Sequence, residues 1–370
     1  MPIVRRPSRR WIVIREGRRG RWGGELRRRH VFAALAAATS ATIVEKEWTP
    51  RLLREAARGP ILGRLPGPFI YRLPQPARKP KLAASEKLRD RLLDAALAVT
   101  DPAAVAIYDD PVAQSRALGF DLDPAWLAEL AAQQQRNIDA FRWHVVPTAR
   151  LAALIGLDPS RVIVGGQGTD TSRIDVGPWP AVPAVGVVSG AAPGRGLELL
   201  VAAARIARER VPELRLLMWL VPTNDAGEAY LAGLRESVAR EPWVTIETAA
   251  HEELGTALAT ATALCVPHPP NEYMDSILPV KVFDSLAAGR PLVVTPRDET
   301  RRLVERHGVG VVAGGDGVED LAAAIADLVT DDDRSRALGA AARRAAETVF
   351  DWRIVGERIA SEVLRREAER

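Results

Sequence analysis

The sequence predicts an α/β protein built as two doubly wound domains facing each other across a cleft. Three observations predict it. Strand-like and helix-like segments alternate along nearly the whole chain, the pattern of parallel sheets covered by helices on both faces. A stretch with three prolines, Asp175–Pro183 (DVGPWPAVP), interrupts the alternation. The length of 370 residues is too great for one ordinary core and suits two domains, each of about 150–200 residues. The expected division is an N-terminal domain over 1–175, a linker over 176–183 and a C-terminal domain over 184–350. A final helix over 351–370 is expected to pack back on the first domain.

The elements follow in order. Trp11–Ile14 is an apolar strand, followed by a Gly-rich loop and a helix from about Glu25 to Ala38. Ala41–Val44 reads as a strand. Residues 49–82 hold seven prolines and read as a long surface loop or extended arm. Val105–Tyr108 is a short strand, Ala125–Asp139 a polar helix, and Val145–Val146 and Val162–Val164 are strands around a helix at Ala149–Ile155. After the proline-rich stretch a second set begins with a strand at Ala184–Val188. The helix Leu197–Arg210 has apolar residues at 199, 200, 203, 206 and 207, which is the 3.6-residue period. Leu214–Val221, Val244–Ile246, Ala263–Val266, Pro291–Thr295 and Gly310–Val312 read as further strands with helices between them.

Composition narrows the class. The chain is 47% hydrophobic and 26% charged, which excludes long disordered tracts and collagen-like repeats. The lone cysteine, Cys265, excludes an internal disulfide and points to a reducing, cytoplasmic compartment. No run of 18 apolar residues suggests a spanning helix. The net charge of +4 is unevenly placed: residues 1–30 hold eleven arginines against Glu16 and Glu25, a net of 11 − 2 = +9, so the rest sums to 4 − 9 = −5. Such a basic head suits a targeting peptide, a nucleic-acid arm, an anionic membrane surface or an anionic-substrate site. Targeting is the weakest reading, because a secretory signal needs an apolar run directly after the basic stretch and Trp11–Ile14 reads as a short strand instead. Nucleic acid is a distant alternative, because only Trp11 and Trp22 interleave aromatic rings with the arginines.

Four motifs are candidates for chemistry. Ser189-Gly-Ala-Ala-Pro-Gly-Arg-Gly196 lies between a strand and a helix. Its glycines let backbone approach a ligand, and the helix N-terminus favours an anion. It is either a diphosphate seat or a plain turn with Arg195 in solvent. Asn271–Pro291 contains a helix starting near Pro279, with Lys281, Asp284 and Ser285 on one face and Val282, Phe283 and Leu286 able to pack inward. The charged face is either a nucleotide-binding pair or a solvated ion pair. Glu272 and Asp275 precede that helix, where they can meet sugar hydroxyls. Arg21-Trp-Gly-Gly-Glu-Leu-Arg-Arg-Arg-His30 is an anion-friendly glycine loop or a solvated basic helix face. Tyr108-Asp-Asp-Pro111 ends a strand, so Asp109 and Asp110 either serve chemistry or cap a turn. The five histidines show no metal-ligand spacing, and Asp331–Asp333 reads as a helix cap with an acidic first turn.

In this order, these residues resemble the retaining GT-B glycosyltransferases, specifically family 4. The likeness runs through Trp22–His30, Val162-Ile-Val-Gly-Gly-Gln-Gly-Thr-Asp170, Val187–Gly190 with Arg195–Leu200, Leu278–Val293, Gly308–Asp316 and Phe350-Asp-Trp352. The resemblance implies two Rossmann-like domains and a nucleotide diphosphate sugar as co-substrate, with no metal and no further cofactor. It implies a donor site of Gly190, Arg195, Gly196, Glu272, Asp275, Lys281 and Asp284. Arg195 would hold the pyrophosphate and Asp284 the ribose, while Asp275, or its rival Glu272, would touch the donor sugar. Trp22, Gly23, Gly24, Arg27 and His30 would form the acceptor wall. Catalysis would fall to Arg195, Lys281 and Asp275, with Asp110 as a positioning group. The sequence departs from the family pattern at several points. Its acids are aspartates nine residues apart, Ala191 replaces an arginine, Gln167 replaces an asparagine, and Asp109-Asp110 stands where many members carry a histidine. The expected activity is hexose transfer to a lipid-linked, polysaccharide or other glycan acceptor, at the inner membrane face if the basic head binds lipid. The alternative is a non-catalytic GT-B protein that binds glycan or a partner glycosyltransferase.

Overall fold

The structure is a computed structural model. It describes residues 110–119, 123–222, 225–248 and 254–369, together with four short strands nearer the N-terminus and the helical positions Ala34 and Ala37. The chain forms two compact units. One comprises residues 1–112, 121–166 and 355–370, and the other residues 113–120 and 167–354.

In the first unit the strands are β1 (Ile12–Arg15), β2 (Val44–Glu47), β3 (Ile70–Arg72), β4 (Ala104–Ala106), β5 (Trp143–Val146) and β6 (Val162–Val164). They form one parallel sheet in the order β2-β1-β3-β4-β5-β6. Helix α1 (Pro111–Ala117) leads into the second unit, while α2 (Pro124–Ala140) and α3 (Ala149–Ile155) belong to the first. Caps mark two of these helix starts: Asp123 accepts from the Ala125 N–H and Thr148 from that of Leu151.

Two expectations are corrected in this sheet. The strand expected at Ala41–Val44 lies at Val44–Glu47, a charged VEKE segment on the outer edge of the described sheet. Charged sequences suit such an edge, where apolar alternation is not required. The proline-rich 49–82 stretch contains β3, which pairs between β1 and β4. Three residues are too few to show a period among seven prolines.

The second unit carries β7 (Ala184–Gly190), β8 (Arg215–Val221), β9 (Val244–Glu247), β10 (Ala263–Val266), β11 (Leu292–Val294) and β12 (Gly310–Val312). They form a parallel sheet in the order β12-β11-β10-β7-β8-β9. Its helices are α4 (Leu197–Arg210), α5 (Asp225–Ser237), α6 (Leu254–Ala259), α7 (Glu272–Ser276), α8 (Val280–Ala287), α9 (Asp298–His307), α10 (Val318–Thr330) and α11 (Asp332–Ala345). Strand alternation splits the core into two layers. Leu216, Met218 and Leu220 of β8 face α4 and α10, with Cys265 and Val293 beside them. Trp219, Leu264, Leu292 and Val294 join the opposite layer with Val282, Phe283 and Leu286 of α8.

Residues 176–183, expected as a linker, lie within the second unit. The reason is Arg290, 1% exposed. Its Nη2 donates to the Gly177, Pro178 and Ala259 carbonyls, and its guanidinium lies 4.9 Å from the Trp179 ring centroid. The last helix, α12 (Trp352–Ala368), runs mostly in the first unit. There Arg366 donates to the Ser160 and Val162 carbonyls, and Glu367 accepts from Arg142 and Trp143. Among the described residues, no helix is long and apolar enough to cross a membrane.

Candidate donor site in the second unit

Strand order locates the site. From β7 the chain runs outward through β8 and β9, then returns to add β10, β11 and β12 on the other side. The reversal between β7 and β10 is a topological switch point, where ligands settle outside the carboxyl ends of the strands. The carboxyl end of β7 and the connections leaving these two strands contain every donor residue expected from the sequence.

The β7–α4 connection bends tightly. Gly196 has φ +72°, and a Cβ there would stand 1.7 Å from the Pro267 carbonyl oxygen. A Cβ at Gly194 would stand 2.0 Å from the Ala117 carbonyl oxygen. Both positions therefore exclude any other residue. Gly190 differs, since a Cβ there would meet only the Val221 carbonyl, at 3.8 Å. Packing does not demand that glycine, which leaves bare backbone at the switch point. Helix α4 starts from Gly196 without a side-chain cap, so its first N–H groups and dipole are open to an anion. Arg195 is half-buried. Its Nε is buried without a hydrogen bond.

Beyond β10 lies buried His268, whose carbonyl accepts from Thr295 Oγ1 at 2.7 Å. Burial holds its imidazole neutral, pushing the pKa down to about 3, and the charges of Arg195 and Arg297 act in the same direction. Asn271 caps α7 by accepting from the Met274 N–H at 2.8 Å. On α7, Glu272 is exposed and Asp275 half-buried. Asp275 Oδ1 accepts from Arg297 Nη1 at 3.3 Å and from the Asp298 N–H at 3.4 Å. Tyr273 is buried, and its hydroxyl accepts from Gln114 Nε2 at 2.9 Å.

Helix α8 follows. Pro279, expected in its first turn, is instead its N-cap. A solvated Lys281–Asp284 pair is not what the structure contains. Asp284 is buried at 6% exposure. Its Oδ1 accepts from Thr169 Oγ1 at 2.9 Å, and Lys281 Nζ lies 3.7 Å from its Oδ2. Ser285 is also buried and donates to the Lys281 carbonyl at 2.8 Å, a local helix bond. Gln167 donates to the Leu278 carbonyl at 3.3 Å, tying the 165–170 turn to the start of α8. Phe350-Asp-Trp352 clamps the same turn: the Thr169 N–H donates to the Phe350 carbonyl and the Trp352 N–H to the Thr169 carbonyl, each at 2.9 Å.

The structure thus gathers Gly190, Arg195, Gly196, Glu272, Asp275, Lys281 and Asp284 in one unit. Asp110 belongs to the first unit, and its Oδ1 accepts from the Val112 N–H at 2.9 Å, the capping role that the sequence offered as its alternative. Trp22, Gly23, Gly24, Arg27 and His30 lie outside the described residues. Sequence reading missed Thr169, His268, Arg297 and Asp316 as members of the network. For Arg297 the available signal was a charged residue just beyond a strand's carboxyl end.

Residues 182–331 match the family model described as Glycosyl transferases group 1. A search of curated protein sequences finds no match. Among solved structures the chain is similar to a sucrose-phosphate synthase from Thermosynechococcus elongatus. The two share 15% identity at a TM-score of 0.67, over 98% of this chain and 100% of the other. It is similar to HepE of Anabaena in complex with UDP and glucose, with 13% identity, a TM-score of 0.67, and 96% and 100% of the chains covered. A glycosyltransferase from Rickettsia africae shares 12% identity at a TM-score of 0.60, covering 97% and 100%. The fold is that of the GT-B glycosyltransferases, with two Rossmann-like domains.

Proposed function

We propose that the chain is a retaining, metal-independent glycosyltransferase. It moves a hexose from a nucleotide diphosphate sugar to a lipid-linked, polysaccharide or other glycan acceptor. One observation carries the reading. The connections leaving β7 and β10, on either side of the switch point, carry an uncapped helix start with Arg195 on one and the Lys281–Asp284 pair on the other. The group 1 match over 182–331 and the UDP and glucose bound by the HepE structure support it.

The chemistry follows from charge. As the bond from the anomeric carbon to the β-phosphate oxygen breaks, negative charge develops on the diphosphate. Arg195, Lys281 and the open N–H groups of α4 stabilise that charge. Loss of one such donor typically costs about 10²–10³ in rate. Positive groups of the protein thereby do the work that a metal does in other sites. Asp284 accepts the ribose hydroxyls and Asp275 meets the donor sugar. In the retaining course, the acceptor hydroxyl attacks from the leaving-group face. Its oxygen bonds to the anomeric carbon, and its proton passes to the departing phosphate. The acceptor wall is assigned to Trp22, Gly23, Gly24, Arg27 and His30. Arginines at this end of the chain would gain about 1 kcal/mol each beside an anionic leaflet.

Titration calorimetry with UDP and GDP, followed by a nucleotide-sugar hydrolysis screen, tests the donor assignment. The protein should bind one nucleotide and turn over one of its sugars. Arg195→Ala and Asp284→Asn should each weaken binding at least about tenfold, the scale of one lost charge-assisted bond. Well-folded protein that binds neither nucleotide would point to the non-catalytic alternative. Variants that bind like the wild type would overturn the site assignment.

A further inference from the structure

We propose that Arg297 is a positioning residue of the donor site, fixing the Asp275 carboxylate and leaving the nucleotide end of the site alone. The inference rests on the glycosyl-transfer reading above, in which Asp275 meets the donor sugar.

The geometry is that of a fork between two acids. Arg297 follows β11, and its side chain is 6% exposed. Nη1 donates to Asp275 Oδ1 at 3.3 Å and Nη2 to Asp316 Oδ1. Asp275 comes from α7 after β10, and Asp316 from the loop after β12. One buried guanidinium therefore ties together three loops at the carboxyl edge of the sheet. The planar fork suits this task, whereas an ammonium on a flexible stem cannot reach two carboxylates from one fixed plane. A second bond to Asp275 Oδ1, from the Asp298 N–H at 3.4 Å, comes from the residue after Arg297. Both bonds thus depend on the same backbone turn.

The nucleotide end is held differently. Asp284 accepts a hydrogen bond from Thr169 and forms an ion pair with Lys281. Arg195 has no carboxylate partner among the described residues. Buried His268 feels the charges of both Arg195 and Arg297. One arginine is thus committed to acids and the other left for phosphate. A change at Arg297 should therefore act on the sugar and spare the diphosphate.

Kinetics of donor hydrolysis or transfer by the full chain, with UDP binding measured in parallel, tests this. Arg297→Lys should lower kcat about tenfold and Arg297→Met about a hundredfold, the scale of a misplaced reacting group. UDP affinity should stay within about threefold. Asp316→Asn, which frees the other arm of the fork, should lower kcat in the same direction by a smaller factor. In an Asp275→Asn background, Arg297→Lys should lower kcat by less than about twofold more, because its effect passes through that carboxylate. Effects that add in the double variant, an unchanged kcat, or UDP affinity falling in step with kcat would each overturn the proposal. If Arg297→Met fails to fold, Arg297→Lys and Asp316→Asn decide. Wild-type protein that binds no nucleotide overturns the glycosyl-transfer reading together with this one. Wild-type turnover with an indifferent Arg297→Lys overturns this one alone.

Discussion

Asp284 and His268 show what single residues contribute. A carboxylate at 6% exposure is costly unless its oxygens are paired, and Thr169 and Lys281 supply the partners. Thr169→Val removes one and should cost about 1–3 kcal/mol of stability, the range for a buried acceptor losing its donor. Denaturant unfolding measures it, and an unchanged midpoint would contradict the bond. His268 works by the opposite logic, since burial keeps it neutral. Unfolded chains protonate histidine near pH 6.5, whereas the folded protein does so only near pH 3. Stability is therefore complete above 6.5 and drains away as pH falls from 6.5 toward 3. The slope reaches about 1.4 kcal/mol per pH unit for each such group. Burial depresses His144 and His307 in the same direction and adds to the slope. Urea midpoints between pH 7 and about 4 should fall accordingly, and His268→Gln should flatten the curve. Equal slopes in the two proteins would remove His268 from the account.

At the level of elements, the β7–α4 connection offers a paired test. Gly190→Ala meets only one carbonyl, at 3.8 Å, so the fold should keep its unfolding midpoint. Its added methyl should nevertheless weaken nucleotide-sugar binding about tenfold if bare backbone seats the diphosphate. Gly196→Ala places a methyl 1.7 Å from the Pro267 oxygen at φ +72°. It should lose more than about 1 kcal/mol from backbone strain alone, before the clash is counted. Calorimetric midpoints and nucleotide titration separate the two outcomes. The same connection shows what the sequence made legible. Gly-rich turns, the apolar runs of β10 and β11 and the amphipathic α4 carry local signals, so their positions read directly. Strand β3 carries none, because three residues between prolines have no period. The Asp275–Arg297 bond joins residues 22 apart, and only the sheet order brings their loops together. Burial of Asp284 escaped for the same reason. Helical spacing put it beside Lys281, but Thr169, 115 positions earlier, covers it.

On the scale of the whole molecule, the course of α12 separates the stabilities of the two units. The helix begins in the second unit at Trp352, 2% exposed, and continues into the first from Val355. There Val355, Ile359 and Val363 are at most 1% exposed, and Glu367 receives bonds from Arg142 and Trp143. Gly165 has no room for a Cβ because Ile359 Cγ1 stands 2.7 Å from that position, so β6 and the helix are in direct contact. Burial of one aliphatic side chain is worth about 1.5–3 kcal/mol. Three of them approach the whole stability of an ordinary domain, about 5–15 kcal/mol. Deleting residues 355–370 should therefore loosen the first unit. The second unit keeps the Phe350–Trp352 clamp on the 165–170 turn, and with it Thr169 against Asp284. Hydrogen exchange should show β5 and β6 losing protection while β7, β8, β10 and β11 keep theirs. UDP affinity should stay within about threefold, since no donor residue lies in the deleted segment. Retained protection of β5 and β6 would mean that the helix contributes little to the first unit. Nucleotide binding lost in step with that protection would mean that the donor site depends on the first unit.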